Sequence, residues 1–205
     1  MTNNPHISRR NLTKGAAWAA PAVLATAGVP VYAASATVAI TSSTYFASAV
    51  ASGQTVTPYS CAGKVQLQIS QQSTKNSYLT ISNIKSTSKV TNLKASYWLP
   101  VQSGTTFTQV ANTSRCWSVP VASGKTTTYN GVVFREYIST YTCPITVSGT
   151  SWTQPTSSNF SFVSSCQTGS TLPSRIYHYE QSATVTSASG AVATATKTNG
   201  WSNRL

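Results

Sequence analysis

Beyond Ala36, apolar and polar positions alternate along most of the chain, and no long segment carries helical spacing. Val65, Leu67 and Ile69 share one parity, with Lys64, Gln66, Gln68 and Ser70 on the other. Tyr78 to Ile81 is a short β-rich run that continues toward Ile84. Within residues 90–99, Leu93, Ala95, Tyr97 and Leu99 again share a parity. Residues 132–147 form the strongest stretch, rich in Val, Ile, Tyr and Thr up to Pro144. Phe160 to Val163 is a further short run, ahead of Cys166. Residues 176–186 and 191–198 flank Ser187-Ala188-Ser189-Gly190, which reads as a hairpin turn. Ser103-Gly104, Ser123-Gly124, Asn130-Gly131, Ser148-Gly149 and Asn199-Gly200 supply further turn signals. Period-two patterning, β-branched and aromatic enrichment, and short strands between turns predict an all-β fold, a sandwich or barrel, with a single β-sandwich preferred.

Residues 8–36 follow a different pattern. Arg9 and Arg10 head a stretch dominated by Ala, Val and Leu, and small residues flank Tyr32. A positive head, an apolar middle and an A-x-A-like end are the layout of an export signal. Pro21, Gly28 and Pro30 interrupt the run, which argues for a cleaved signal over a spanning anchor. Ser8-Arg9-Arg10-Asn11-Leu12-Thr13-Lys14 resembles the twin-arginine export motif, with Thr13 where an apolar residue is common. The continuation through Ala19 resembles the leaders of secreted actinobacterial proteins. Residues 1–33 are thus expected to be a signal peptide handled by export machinery, and 34–205 a single all-β domain. No second apolar run of spanning length follows, and Leu172-Pro173-Ser174 lacks the continuation of a wall-anchoring signal.

That placement changes how the cysteines are read. Cys61, Cys116, Cys143 and Cys166 all lie in the exported part, and an even number in an oxidising compartment implies two disulfides. No pair has C-x-x-C spacing, which argues against zinc and thioredoxin-like chemistry. Three connectivities are open. The preferred one joins Cys61 to Cys166 and Cys116 to Cys143, with the latter two facing each other across neighbouring strands. Tyr141-Thr142-Cys143 also resembles the Y-x-C of the immunoglobulin family. That resemblance implies Trp98 as the core tryptophan and Cys61 as the partner of Cys143. The spacing from Cys61 to Trp98 is far longer than in that family, and no Asp precedes Tyr141. The resemblance therefore supports an immunoglobulin-like or related sandwich rather than a true immunoglobulin domain.

Charge narrows the chemistry. The chain contains no Asp, and Glu136 and Glu180 are its only carboxylate side chains. Without Arg9, Arg10 and Lys14 the net charge is roughly +9, spread thinly along the chain. Such a field suits anionic cell-wall polymers or polysaccharide, whereas nucleic acid is not expected, because no dense basic run or binding motif is present. Glycoside hydrolysis ordinarily needs two carboxylates about 5–10 Å apart, which only Glu136 and Glu180 remain to supply. Beyond the signal His178 is the sole histidine, and no Asp can orient it toward a nucleophile. Thr140-Tyr141-Thr142-Cys143 resembles the T-L-x-T-C of sortases, but Tyr141 replaces the leucine and His178 follows the cysteine instead of preceding it. A disulfide cysteine at a strand end is the simpler reading. No metal-ligand cluster or phosphate loop is present in the sequence, so no cofactor is expected.

Binding fits the residues better. Trp152 and Trp201 have polar, turn-like neighbours and are the candidate ligand platform. The expectation is a secreted or cell-surface-associated bacterial β-sandwich protein, non-enzymatic, with a structural or adhesive role. The alternative is a carbohydrate- or envelope-polymer-binding module, and after it a small envelope hydrolase.

Overall fold

The computed structural model describes residues 37–41, 45–50, 61, 63–71, 79–110, 115–158 and 160–202. The export signal with Arg9 and Arg10 lies outside them, as does Tyr78. Among the described residues twelve strands follow one another: β1 (Ala39–Thr41), β2 (Tyr45–Val50), β3 (Gln66–Gln71), β4 (Thr80–Ser82), β5 (Lys89–Leu99), β6 (Phe107–Gln109), β7 (Val121–Tyr129), β8 (Val132–Thr140), β9 (Ser151–Thr153), β10 (Ser161–Ser164), β11 (Tyr177–Thr186) and β12 (Val192–Ser202). They form three sheets, ordered β1-β4-β9, β2-β3-β10-β6 and β12-β11-β5-β8-β7. The pairing is antiparallel throughout. The fold is all-β and sandwich-like.

Alternation in sequence becomes alternation in burial. In β5, Leu93, Ala95, Tyr97 and Leu99 face inward, while Lys94, Ser96 and Trp98 face out. In β11, Tyr177, Tyr179, Gln181, Ala183 and Val185 are buried, and the residues between them are not. Burying such side chains contributes about 1.5–3 kcal/mol each and is the main force holding the sheets together. Phe107 of β6 meets Tyr137 of β8 edge-on at 5.1 Å, and the Tyr137 hydroxyl donates to the Thr105 carbonyl. That pair joins the four-stranded sheet to the five-stranded one. Burial, and secondarily Tyr179 beside it, pushes the Tyr97 hydroxyl above its ordinary pKa, so Tyr97 stays neutral.

Both disulfides of the preferred connectivity are present, Cys61–Cys166 and Cys116–Cys143. The Cys61–Cys143 bridge implied by the immunoglobulin resemblance is not formed. Cys116 and Cys143 lie just beyond an isolated bridge between Trp117 and Tyr141, where Thr142 N–H donates to the Cys116 carbonyl at 2.7 Å. Trp98 is not the core tryptophan either. It lies half-buried on the outer face of β5, and Trp117, 1 % exposed, fills the core against Phe160 and Tyr141. Two disulfides fit an oxidising, extracellular setting.

Three local expectations are corrected. The long run from Val132 ends as a strand at Thr140, because the chain then leaves the ladder toward the Cys116–Cys143 bridge. Ser123-Gly124 is no turn but a bulge inside β7, where the register shifts between Ala122 and Thr126. Asn199-Gly200 is likewise a bulge inside β12, opposite Tyr179, where the register shifts between His178 and Glu180. In each bulge a glycine at positive φ absorbs the extra length, Gly124 at 85° and Gly200 at 66°. The other signals hold. Asn130 and Gly131 turn β7 into β8 with positive φ at both positions, and Ser187–Gly190 closes the β11–β12 hairpin through Gly190 N–H to the Ser187 carbonyl.

Candidate functional site

Through β5 and β11 one face of the five-stranded sheet fills the core; the other face carries the candidate site. Cross-strand partners share a face, so register alone assembles it. Trp201 pairs with His178, His178 with Trp98, and Trp98 with Glu136, a row across β12, β11, β5 and β8. In the next row Thr198 pairs with Glu180 and Glu180 with Ser96. Farther along come Thr196, Ser182 and Lys94. The last rows bring in Thr194, Thr184 and Thr91, then Thr186 and Lys89. The face thus grades from aromatic rings at one end to hydroxyls and two lysines at the other.

The aromatic end is closed over. Tyr129 belongs to edge strand β7 and Trp201 to edge strand β12, yet their rings stack at 4.4 Å and 8°. Two opposite edges meet only if the sheet coils over its outer face, an extreme of the ordinary strand twist. Phe134 lies beneath, edge-on to Trp201 at 4.7 Å, and is 0 % exposed although it points away from the main core. His178 packs on the same indole at 5.2 Å.

Glu136 sits beside this cap and is 7 % exposed. The β7 bulge wraps it. Ser123 Oγ donates to Oε2 at 2.6 Å, Ser96 Oγ donates to Oε1 at 2.5 Å, and Lys125 Nζ lies 3.7 Å from Oε2. Burial alone would raise the carboxyl pKa; the Ser123 and Ser96 hydroxyls and the Lys125 ammonium outweigh it and hold it below the usual carboxylate value. Both oxygens are committed, so Glu136 is a brace across β5, β7 and β8. Glu180 is exposed on β11, with β5 between it and Glu136.

The expected platform is only half right. Trp152 is 5 % exposed, held edge-on by Tyr141 at 5.3 Å, and offers no surface to a ligand. Its polar neighbours Ser151 and Thr153 point to the opposite face of a three-residue strand, which the sequence disguised as an exposed setting. Trp201 is half-buried and already taken up by Tyr129, Phe134 and His178. The tryptophan passed over as a ligand residue is Trp98. It is half-exposed on a central strand, at the rim of the aromatic cap, and none of the described rings packs on its indole. Its position after Ser96 and opposite the Leu93-Ala95-Tyr97-Leu99 parity was the available signal.

Among the described residues no cluster of three or more His, Cys, Asp or Glu could hold a metal. Cys143 is bonded to Cys116, which removes the thiol that the sortase resemblance would need. Comparison with family models, curated proteins and solved structures finds no match for the chain. What the fold and the site define is a disulfide-braced all-β protein with one sheet face buried and the other turned to solvent.

Proposed function

We propose that the chain is a secreted or cell-surface-associated bacterial protein with a non-enzymatic, adhesive role, working through the outer face of the five-stranded sheet. The observation that carries this reading is the breadth of that face. Strands β5, β11 and β12 together offer Thr, Ser and Lys side chains and a half-buried indole, while the opposite side chains of β5 and β11 fill the core. The signal-like N-terminus, with Arg9 and Arg10 in a twin-arginine pattern, supports export. The residues a hydrolase would draw on are otherwise engaged: Glu136 is locked by Ser96 and Ser123, and His178 lies against Trp201. The net positive charge suits anionic wall polymers or polysaccharide as the surface to be held.

Co-sedimentation of the oxidised, processed protein with envelopes of the producing bacterium tests this. Saturable binding that persists at high salt is expected from a shaped face. Binding that vanishes with salt would reduce the interaction to charge retention, and its absence at all salt concentrations would end the adhesion reading.

A further inference from the structure

We propose that the rim of the outer face, centred on Trp98, binds a neutral sugar ring of a glycan chain; this inference rests on the adhesion reading and names the ligand class of that same face. A pyranose presents an apolar C–H face and a girdle of hydroxyls. Recognising both takes an aromatic plane that is partly open, with hydrogen-bonding groups at its edge. Trp98, half-buried and with none of the described rings packed on it, supplies the plane. His178 adjoins it on one side through the β5–β11 register, and Ser96 and Glu180 form the next pair along the same face.

Each neighbour has a defined part. His178 Nδ1 is buried with no hydrogen-bond partner, so hydrogen bonding to a sugar hydroxyl falls to Nε2. The exposed Glu180 carboxylate accepts hydroxyl hydrogens and repels a carboxylated or phosphorylated residue at the Trp98 position. That repulsion makes the ring on Trp98 a neutral one. Lys94 stands one row farther on, opposite Ser182, where the chain continues over hydroxyls.

The platform is also preorganised. Glu136 pairs with Trp98 across the strands and ties β5 to β7 through Ser96 and Ser123. A site whose supporting residues are already locked loses little freedom on binding. Trp201 belongs to this support rather than to the contact surface, since Tyr129 stacks on it.

The test uses the same envelopes in three states: untreated, digested with protease, and oxidised with periodate, which cleaves vicinal diols. Binding is expected to survive protease and to be lost after periodate. Trp98→Ala should weaken it at least tenfold with an unchanged melting temperature, Trp98→Tyr should restore part of it, and His178→Ala should weaken it severalfold. If Trp98→Ala unfolds the protein, the Trp98→Tyr and His178→Ala variants carry the comparison. Binding that is lost to protease but resists periodate identifies a protein partner and overturns the glycan inference while leaving adhesion standing. Periodate-sensitive binding that ignores both Trp98→Ala and His178→Ala overturns the site. No binding to untreated envelopes overturns both readings together.

Discussion

Glu136 shows what one buried carboxylate contributes to the fold. As one of two carboxylates in the chain it invites a catalytic role, yet its oxygens accept from Ser96 and Ser123 and face Lys125. Its pKa is depressed in the folded state, so the unfolded chain binds the proton more readily. The stabilisation is therefore fully present above the ordinary carboxylate pKa, roughly 4.5, and drains away as pH falls through the lower folded value. Urea denaturation between pH 7 and pH 2.5 should show this loss in the native sequence. Glu136→Gln should cost about 1–3 kcal/mol at neutral pH and flatten the acid limb. An unchanged acid limb in Glu136→Gln would assign the pH dependence elsewhere. Lys125 is exposed and its pair with Glu136 is worth little, so Lys125→Ala should stay within about 1 kcal/mol of the native protein.

At the scale of the elements, the two disulfides differ in what they constrain. Cys61–Cys166 spans 105 positions and Cys116–Cys143 spans 27. In the chain-entropy account the longer loop restricts the unfolded state more, by about 1 kcal/mol between loops of these lengths. Replacing Cys61 and Cys166 together by Ser should therefore lower stability by about that much more than replacing Cys116 and Cys143. Calorimetry of the two double variants decides it; the reverse order would place strain or local packing above loop entropy. The elements themselves were mostly legible. A strand with strict alternation, such as residues 93–99, announces its inward face because each second side chain is apolar and buried, whereas in residues 177–185 the buried Gln181 interrupts the apolar parity. β7 escaped notice. Its sequence VASGKTTTY has exposed or half-exposed side chains throughout and places Ser-Gly at a bulge, so neither burial nor turn chemistry marked it as a strand. Without β7 the wrapping of Glu136 and the Tyr129–Trp201 stack had no basis. Trp152 was misread for a related reason: a strand of three residues has too few positions to reveal its parity.

For the whole molecule the open question is whether net charge or one face does the holding, and register gives a way to separate them. Lys89 and Lys94 stand on the outer face of β5, whereas Lys64 and Arg115 are exposed in loops outside the strands of that sheet. Lys89→Gln with Lys94→Gln removes two positive charges, and so does Lys64→Gln with Arg115→Gln. The long-range field of the protein weakens equally in both, because it depends on the sum of the charges. Charge retention therefore predicts the same shift in affinity for envelopes, measured at one low salt concentration, for either pair. A working face predicts a marked shift for the Lys89 and Lys94 pair and almost none for the other. Those lysines lie among the hydroxyls of Thr91, Ser182 and Thr184, so their loss is felt at short range, where screening by salt is weakest. Equal shifts would return the face to being merely the solvent side of a sandwich. Unequal shifts would tie attachment to the same strands that present Trp98, and would mean that the coil of the sheet over Phe134 builds a surface as well as a second small core.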